Sequence, residues 1–78
     1  MKDPDIRALV ADVLGGIAPE ADLASVRDDE DLRMAFDLDS MDFLNLVVGL
    51  HERTGVDVPE ADYPRLFTLG GIVAYFAN

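Results

Sequence analysis

Ile6, Leu9, Val10, Val13, Leu14 and Ile17 stand at i, i+3, i+4, i+7, i+8 and i+11, and no other feature of the chain constrains it as strongly. At 3.6 residues per turn these positions return to one face, so they form a single apolar stripe of an α-helix. A helix of this kind needs a second apolar surface to cover the stripe. Asp3 is placed to cap it, Pro4 suits the first helical position and Asp5 lies at the positive end of the dipole. Gly15 and Gly16 supply the stop, and the spacing predicts a first helix over residues 4–15.

The same logic places two further helices. Asp39 is a good N-cap, with Asp42 three positions on as the carboxylate half of a capping box. The stretch Met41–Leu50 that comes next is apolar on nearly all sides, and Gly55 ends it. One side of a helix is enough for so small a core, so the surplus either makes this helix central or offers a docking surface. Thr68 caps a last helix with Leu69, Ile72, Val73 and Phe76 on its inner face, weakened in its first turn by Gly70 and Gly71. Residues 61–67 allow at most a short helix, with Pro64 at its start or distorting it. Val56–Pro59 has no second strand to pair with and is expected as a loop.

Residues 18–38 show no period, and a connection of that length is unusual in a small domain. Leu23, Val26, Leu32, Met34 and Phe36 are expected to anchor it to the core, with the acidic run Asp28–Asp31 as solvated loop. The predicted fold is all-α, a four-helix bundle with three longer helices and one short third helix. At 78 residues, 1–78 is expected to form a single domain.

Composition narrows the function. Sixteen Asp and Glu against six Lys and Arg make a net charge of −10, which repels phosphate backbones and anionic lipid heads. Nucleic acid and membranes are therefore not expected partners, and basic protein surfaces are. There is no cysteine, hence no disulfide framework, thiolate metal site or cysteine nucleophile. No signal-peptide core opens the chain and no apolar run approaches the ~20 residues of a membrane span, so a monomeric cytoplasmic protein is expected. Catalysis finds no residues to carry it. Ser40 and the sole histidine, His51, are 11 residues apart, about 16 Å along a shared helix. Calcium fares no better: in the windows starting at Asp28 and Asp37, Arg33 and Asp42 stand where an EF-hand loop requires glycine, so no metal site is expected.

One constellation remains. Asp39-Ser40-Met41 puts a hydroxyl at the start of a largely apolar helix, where free N–H groups and the dipole favour an attached phosphate. Asp37, Asp39 and Asp42 collar it with negative charge, able to attract a basic modifying enzyme and its magnesium ion.

Here the chain resembles the acyl carrier protein family, whose attachment motif is Asp-Ser-Leu at the start of the second helix and reads Asp39-Ser40-Met41 in this sequence. The likeness runs over essentially all 78 residues: the amphipathic first helix, the long acidic loop, Leu44, Leu46, Val47 and Leu50 after the serine, Val58-Pro59-Glu60, Thr68, and Tyr75-Phe76 at the end. The resemblance implies that Ser40 carries a 4'-phosphopantetheine arm through a phosphodiester, with acyl or aminoacyl groups held as thioesters on its thiol. It implies a carrier rather than an enzyme, with a phosphopantetheinyl transferase and acyl-loading and acyl-transferring enzymes of basic docking surface as partners. Asp39 and Asp42 flank the serine, and Met41, Asn45 and Val48, at i, i+4 and i+7, are expected as a docking stripe, with Leu44, Val47 and Leu50 facing the bundle.

Two departures bear on the pathway. Carriers of the fatty-acid type usually have glycine two or three residues before the Asp-Ser pair, where Asp37-Leu38 stands here, and several glutamates along the second helix, where Asp42 and Glu52 are the only acids. These favour a specialised carrier for a polyketide, nonribosomal-peptide or other dedicated acyl pathway over the housekeeping one. The alternative from another class is an unmodified helical interaction module.

Overall fold

The structure, a computed structural model, describes residues 1–77. Helix α1 spans Asp3–Gly15, α2 is a single turn over Leu32–Ala35, α3 spans Ser40–Thr54 and α4 spans Leu69–Phe76. Two 3-10 segments, Leu23–Ser25 and Glu60–Leu66, complete the secondary structure, and there is no strand among the described residues. This is the expected helical bundle. The short third helix is the 3-10 segment around Pro64, and α2 is an extra turn inside the long connection.

Helix α1 begins one residue earlier than predicted. Lys2 is its N-cap and makes no side-chain cap, while Asp3 is already helical. The Asp3 carboxylate instead accepts from Arg7 Nε at 2.5 Å, an i,i+4 pair that outcompetes capping. Ile6, Leu9, Val10 and Leu14 are buried as the stripe requires.

Helix α1 packs on both α3 and α4, and α4 also packs on the Pro64 segment. Phe43, Leu46, Val47 and Leu50 face inward from α3, Leu69, Ile72 and Phe76 from α4, with Leu32 and Leu66 filling between them. The Tyr75 hydroxyl donates to Asp62 Oδ2 at 2.8 Å, pinning the 3-10 segment to α4. That bond and partial burial push the Tyr75 phenol above its ordinary pKa.

The long connection is more ordered than its sequence suggests. Leu32 is fully buried, and Leu23, Val26 and Phe36 pack partly against the core, as expected of anchors. Met34 does not: it is 82% exposed, because the single turn of α2 can turn only Leu32 inward and Met34 lies about 200° away around the helix. Leu32 N donates to Phe67 O at 2.7 Å and Gly70 N to Asp28 O at 3.0 Å, tying the connection to the start of α4. This explains the glycine pair. A Cβ on Gly70 would lie 3.1 Å from Asp28 O, and one on Gly71 would run into the Arg65 carbonyl.

The acidic run is not simply solvated either. Arg7 donates to both Asp28 oxygens at 2.8 and 2.6 Å, Arg27 Nε to Asp29 at 3.0 Å, and Arg33 Nη2 to Asp31 Oδ2 at 2.7 Å. Glu30 accepts from the Arg27 backbone N–H at 2.9 Å. All four carboxylates thus have partners.

Candidate functional site

The start of α3 is built by two aspartates. Asp42 N donates to Asp39 Oδ1 at 2.8 Å, and Asp39 N donates to Asp42 Oδ2 at 3.3 Å. This reciprocal capping box satisfies two of the N–H groups at the helix start with carboxylates. Ser40, the first helical residue, is exposed, and its hydroxyl has no hydrogen-bond partner among the described residues. The neighbours have relieved it of any structural duty. At the other end, Gly55 closes α3 in the left-handed region, with φ of 73°.

Two residues before the box set its position. Asp37 has φ of 52°, the conformation that glycine adopts most readily, and it stands where the resemblance leads to an expectation of glycine. Leu38 is buried, and its N–H donates to Arg33 O at 2.9 Å. Leu38 is not among the residues expected in the core. The available signal was the hydrophobic staple, which pairs the residue before an N-cap with the fourth helical residue, here Leu38 and Phe43.

Met41, Asn45 and Val48, the residues expected as a docking stripe, lie on the solvent side of α3, with Met41 64% and Val48 46% exposed and Asn45 exposed between them. Leu44 is a correction. It is 39% exposed rather than packed in the bundle. The buried face is centred among Phe43, Leu46, Val47 and Leu50, and at 100° per residue Leu44 falls about 110° from that centre.

Beside Ser40 opens a groove of about 750 Å³. Leu38, Phe43, Leu44, Tyr63 and Phe67 supply apolar wall, and Asp37, Asp39 and Glu60 also line it. Phe43 meets Phe67 edge-on at 5.2 Å between ring centroids and Tyr63 at 6.1 Å. The single cation on this lining is Arg33, whose guanidinium carbon sits 3.5 Å from the Phe67 ring centre. Its hydrogen bond to Asp31 raises the Arg33 pKa and holds the Asp31 carboxyl below the usual carboxylate range.

The remaining candidates for chemistry lie apart. His51 is near the far end of α3, its Nδ1 2.9 Å from Val56 O and 3.5 Å from Asp57 Oδ1. The Ser25 hydroxyl donates to Asp22 O at 2.7 Å. Neither serine pairs with the histidine.

An idle, exposed hydroxyl at a capped helix start, beside a groove and unpaired with the histidine, defines a helical domain suited to bearing an attached group. The comparisons with known proteins agree. The family model described as "phosphopantetheine attachment site" matches residues 4–76. Relatives include the acyl carrier protein of Renibacterium salmoninarum, 35% identical over 81% of this chain and 73% of that protein. The acyl carrier protein of Campylobacter hominis is 30% identical over 95% and 87%, and that of Chlamydia trachomatis 29% identical over 94% and 88%. The chain belongs to the acyl carrier protein family. It is a carrier with a phosphopantetheine-attachment domain, its cofactor a covalent 4'-phosphopantetheine, and its relatives are carriers rather than catalysts. The family works with transferases and biosynthetic enzymes. Among the described residues no helix is long and apolar enough to cross a membrane.

Proposed function

We propose that Ser40 is the attachment residue and that residues 1–78 act as one cytoplasmic, monomeric carrier domain for a dedicated acyl or aminoacyl pathway. The observation that carries this is the idle Ser40 hydroxyl at the exposed start of α3. A phosphopantetheinyl transferase would join that oxygen to the pantetheine-bearing phosphorus of coenzyme A, breaking the pyrophosphate P–O bond, so that adenosine 3',5'-bisphosphate leaves and the serine proton is given up to the transferase. When bound, the arm supplies the thiol on which acyl groups ride as thioesters, in a chain without cysteine. The α3 N-terminus favours the phosphodiester's negative charge through its dipole, while Asp39 and Asp42 keep the end ordered. Asp37, Asp39 and Asp42 attract basic enzyme surfaces, and Met41, Asn45 and Val48 offer them an exposed face.

The dedicated pathway is supported by the charge on α3. Asp42 and Glu52 are its only acids, and Arg53 of the same helix donates to Asp12 at 2.6 Å. An enzyme that reads a row of glutamates finds few here. A fatty-acid-type malonyl transferase should therefore load this holo protein more slowly than a housekeeping carrier.

Intact mass after treatment with a phosphopantetheinyl transferase and coenzyme A tests the attachment. A gain of one arm is expected, and none for Ser40→Ala. Because Asp39 and Asp42 supply the cap, Ser40→Ala should change stability by no more than a few tenths of a kcal/mol. A modified Ser40→Ala, or an unmodified wild type beside a competent control, overturns the assignment.

A further inference from the structure

The groove beside Ser40 carries one feature that attachment does not require, an arginine held in place on its wall. Arg33 spends one edge on Asp31, with Nε 3.1 Å from Oδ1 and Nη2 2.7 Å from Oδ2. Its flat face rests on Phe67 at 3.5 Å. A guanidinium bonded along one edge and stacked on a ring has little freedom left, so its donors are set in advance. Five N–H groups are present in all, and Nη1 has no partner among the described residues. The other arginines in ion pairs, Arg7, Arg27 and Arg53, do not line this groove.

We propose that Arg33 is a specificity-determining residue that fits the groove to uncharged acyl cargo bearing carbonyl or hydroxyl oxygens, in preference to plain alkyl chains and to carboxylates. The inference rests on the carrier reading with Ser40 as the point of attachment. Apolar wall from Leu38, Phe43 and Leu44 accepts a carbon skeleton. An alkyl chain laid across Arg33 strips water from its N–H groups and returns no acceptor, which is unfavourable. A carboxylate meets a guanidinium already neutralised by Asp31, in a groove also lined by Asp37, Asp39 and Glu60. A neutral oxo or hydroxy oxygen accepts from the spare N–H groups and brings no charge into that field.

The test uses the full chain loaded at Ser40 with three amide-linked acyl arms of equal length: alkyl, 3,5-dioxo and ω-carboxy. Intact mass establishes loading first. Failure to load overturns the carrier reading itself and is distinguishable from failure of the role given to Arg33. In the loaded proteins, melting temperature and the Arg33 Nε–H resonance are measured. The dioxo arm is expected to melt about 4–8 °C above the alkyl arm, the shift that one net hydrogen bond makes in a domain of this size. It alone should move the Nε–H resonance. Arg33→Met, which keeps the stem and removes the donors, should abolish the dioxo advantage. An alkyl or carboxy arm that matches the dioxo arm, a resonance that stays still in the wild type, or an advantage that survives Arg33→Met overturns the proposal. The wild-type resonance decides even if Arg33→Met folds poorly.

Discussion

A single dihedral angle at Asp37 lets the chain turn from Leu32–Ala35 into the box that begins α3. Left-handed backbone costs an ordinary L-residue about 1–2 kcal/mol, and aspartate tolerates it better than most. Asp37 is exposed, so a substitution there reads the backbone rather than packing. Asp37→Val should lower stability by about 1–2 kcal/mol in denaturant melts, because a β-branched side chain fits this region poorly. Asp37→Gly should stay within about 0.5 kcal/mol of the wild type, strain relief offsetting the greater entropy of the unfolded chain. Equal losses for both would show that the aspartate side chain, not its φ, matters. The same turn leads through Leu38 to Ser40, so its conformation sets the place of the proposed attachment oxygen.

At the scale of one element, α3 divides its apolar residues between two uses. Phe43, Leu46, Val47 and Leu50 close the core, while Met41 and Val48 remain in water. Leaving them there gains the fold nothing, which is why a partner surface is the proposed reason for them. Val48→Asp tests this. Valine and aspartate have similar helix propensities, and an exposed site should change stability by less than about 0.5 kcal/mol. Acyl transfer by partner enzymes should nevertheless fall by roughly tenfold, as for an interface residue contributing somewhat over 1 kcal/mol. A lowered melt with proportionate loss of transfer would make Val48 a structural residue instead.

The whole molecule is shaped by its net charge of −10 and by where its few cations go. Arg7, Arg27, Arg33 and Arg53 are paired with Asp28, Asp29, Asp31 and Asp12. Asp37, Asp39 and Asp42 at the head of α3 have no ion-pair partner among the described residues, so repulsion is relieved at the acidic connection and left standing beside Ser40. Melting temperature should rise across a sodium chloride series, since exposed pairs contribute little and many unpaired carboxylates repel. Magnesium at matched ionic strength should raise it further, carboxylate oxygens being its preferred ligands. A flat or falling series would show repulsion already offset. At low pH the pairs decide. Hydrogen bonds from Arg7 and Arg33 hold the Asp28 and Asp31 carboxyls below the ordinary range. Their folded pKa values lie under the unfolded ones, so this stabilisation is present above about pH 4 and is lost as pH falls through the folded values. Melts from pH 6 to pH 2 should show that decline, and Arg7→Gln should weaken it.

Local signals in the sequence determined the three long helices, the Asp39–Asp42 box, the Gly55 stop and the exposure of Ser40. A helical period, a cap and a stop are settled within a turn or two of the chain, and composition alone ruled out nucleophilic cysteine and thiolate metal sites. Tertiary structure decided which way the non-periodic residues face: Leu38 inward, Met34 and Leu44 outward. It also decided what the groove is made of. Arg33 rests on Phe67, Leu32 bonds to that residue's carbonyl, and Asp28 joins Arg7 across 21 positions. None of these pairings has a period to announce it. Each forms only when α1 and α4 pack and bring distant stretches of chain within reach, so the serine was legible from its neighbours in sequence and its groove only from its neighbours in space.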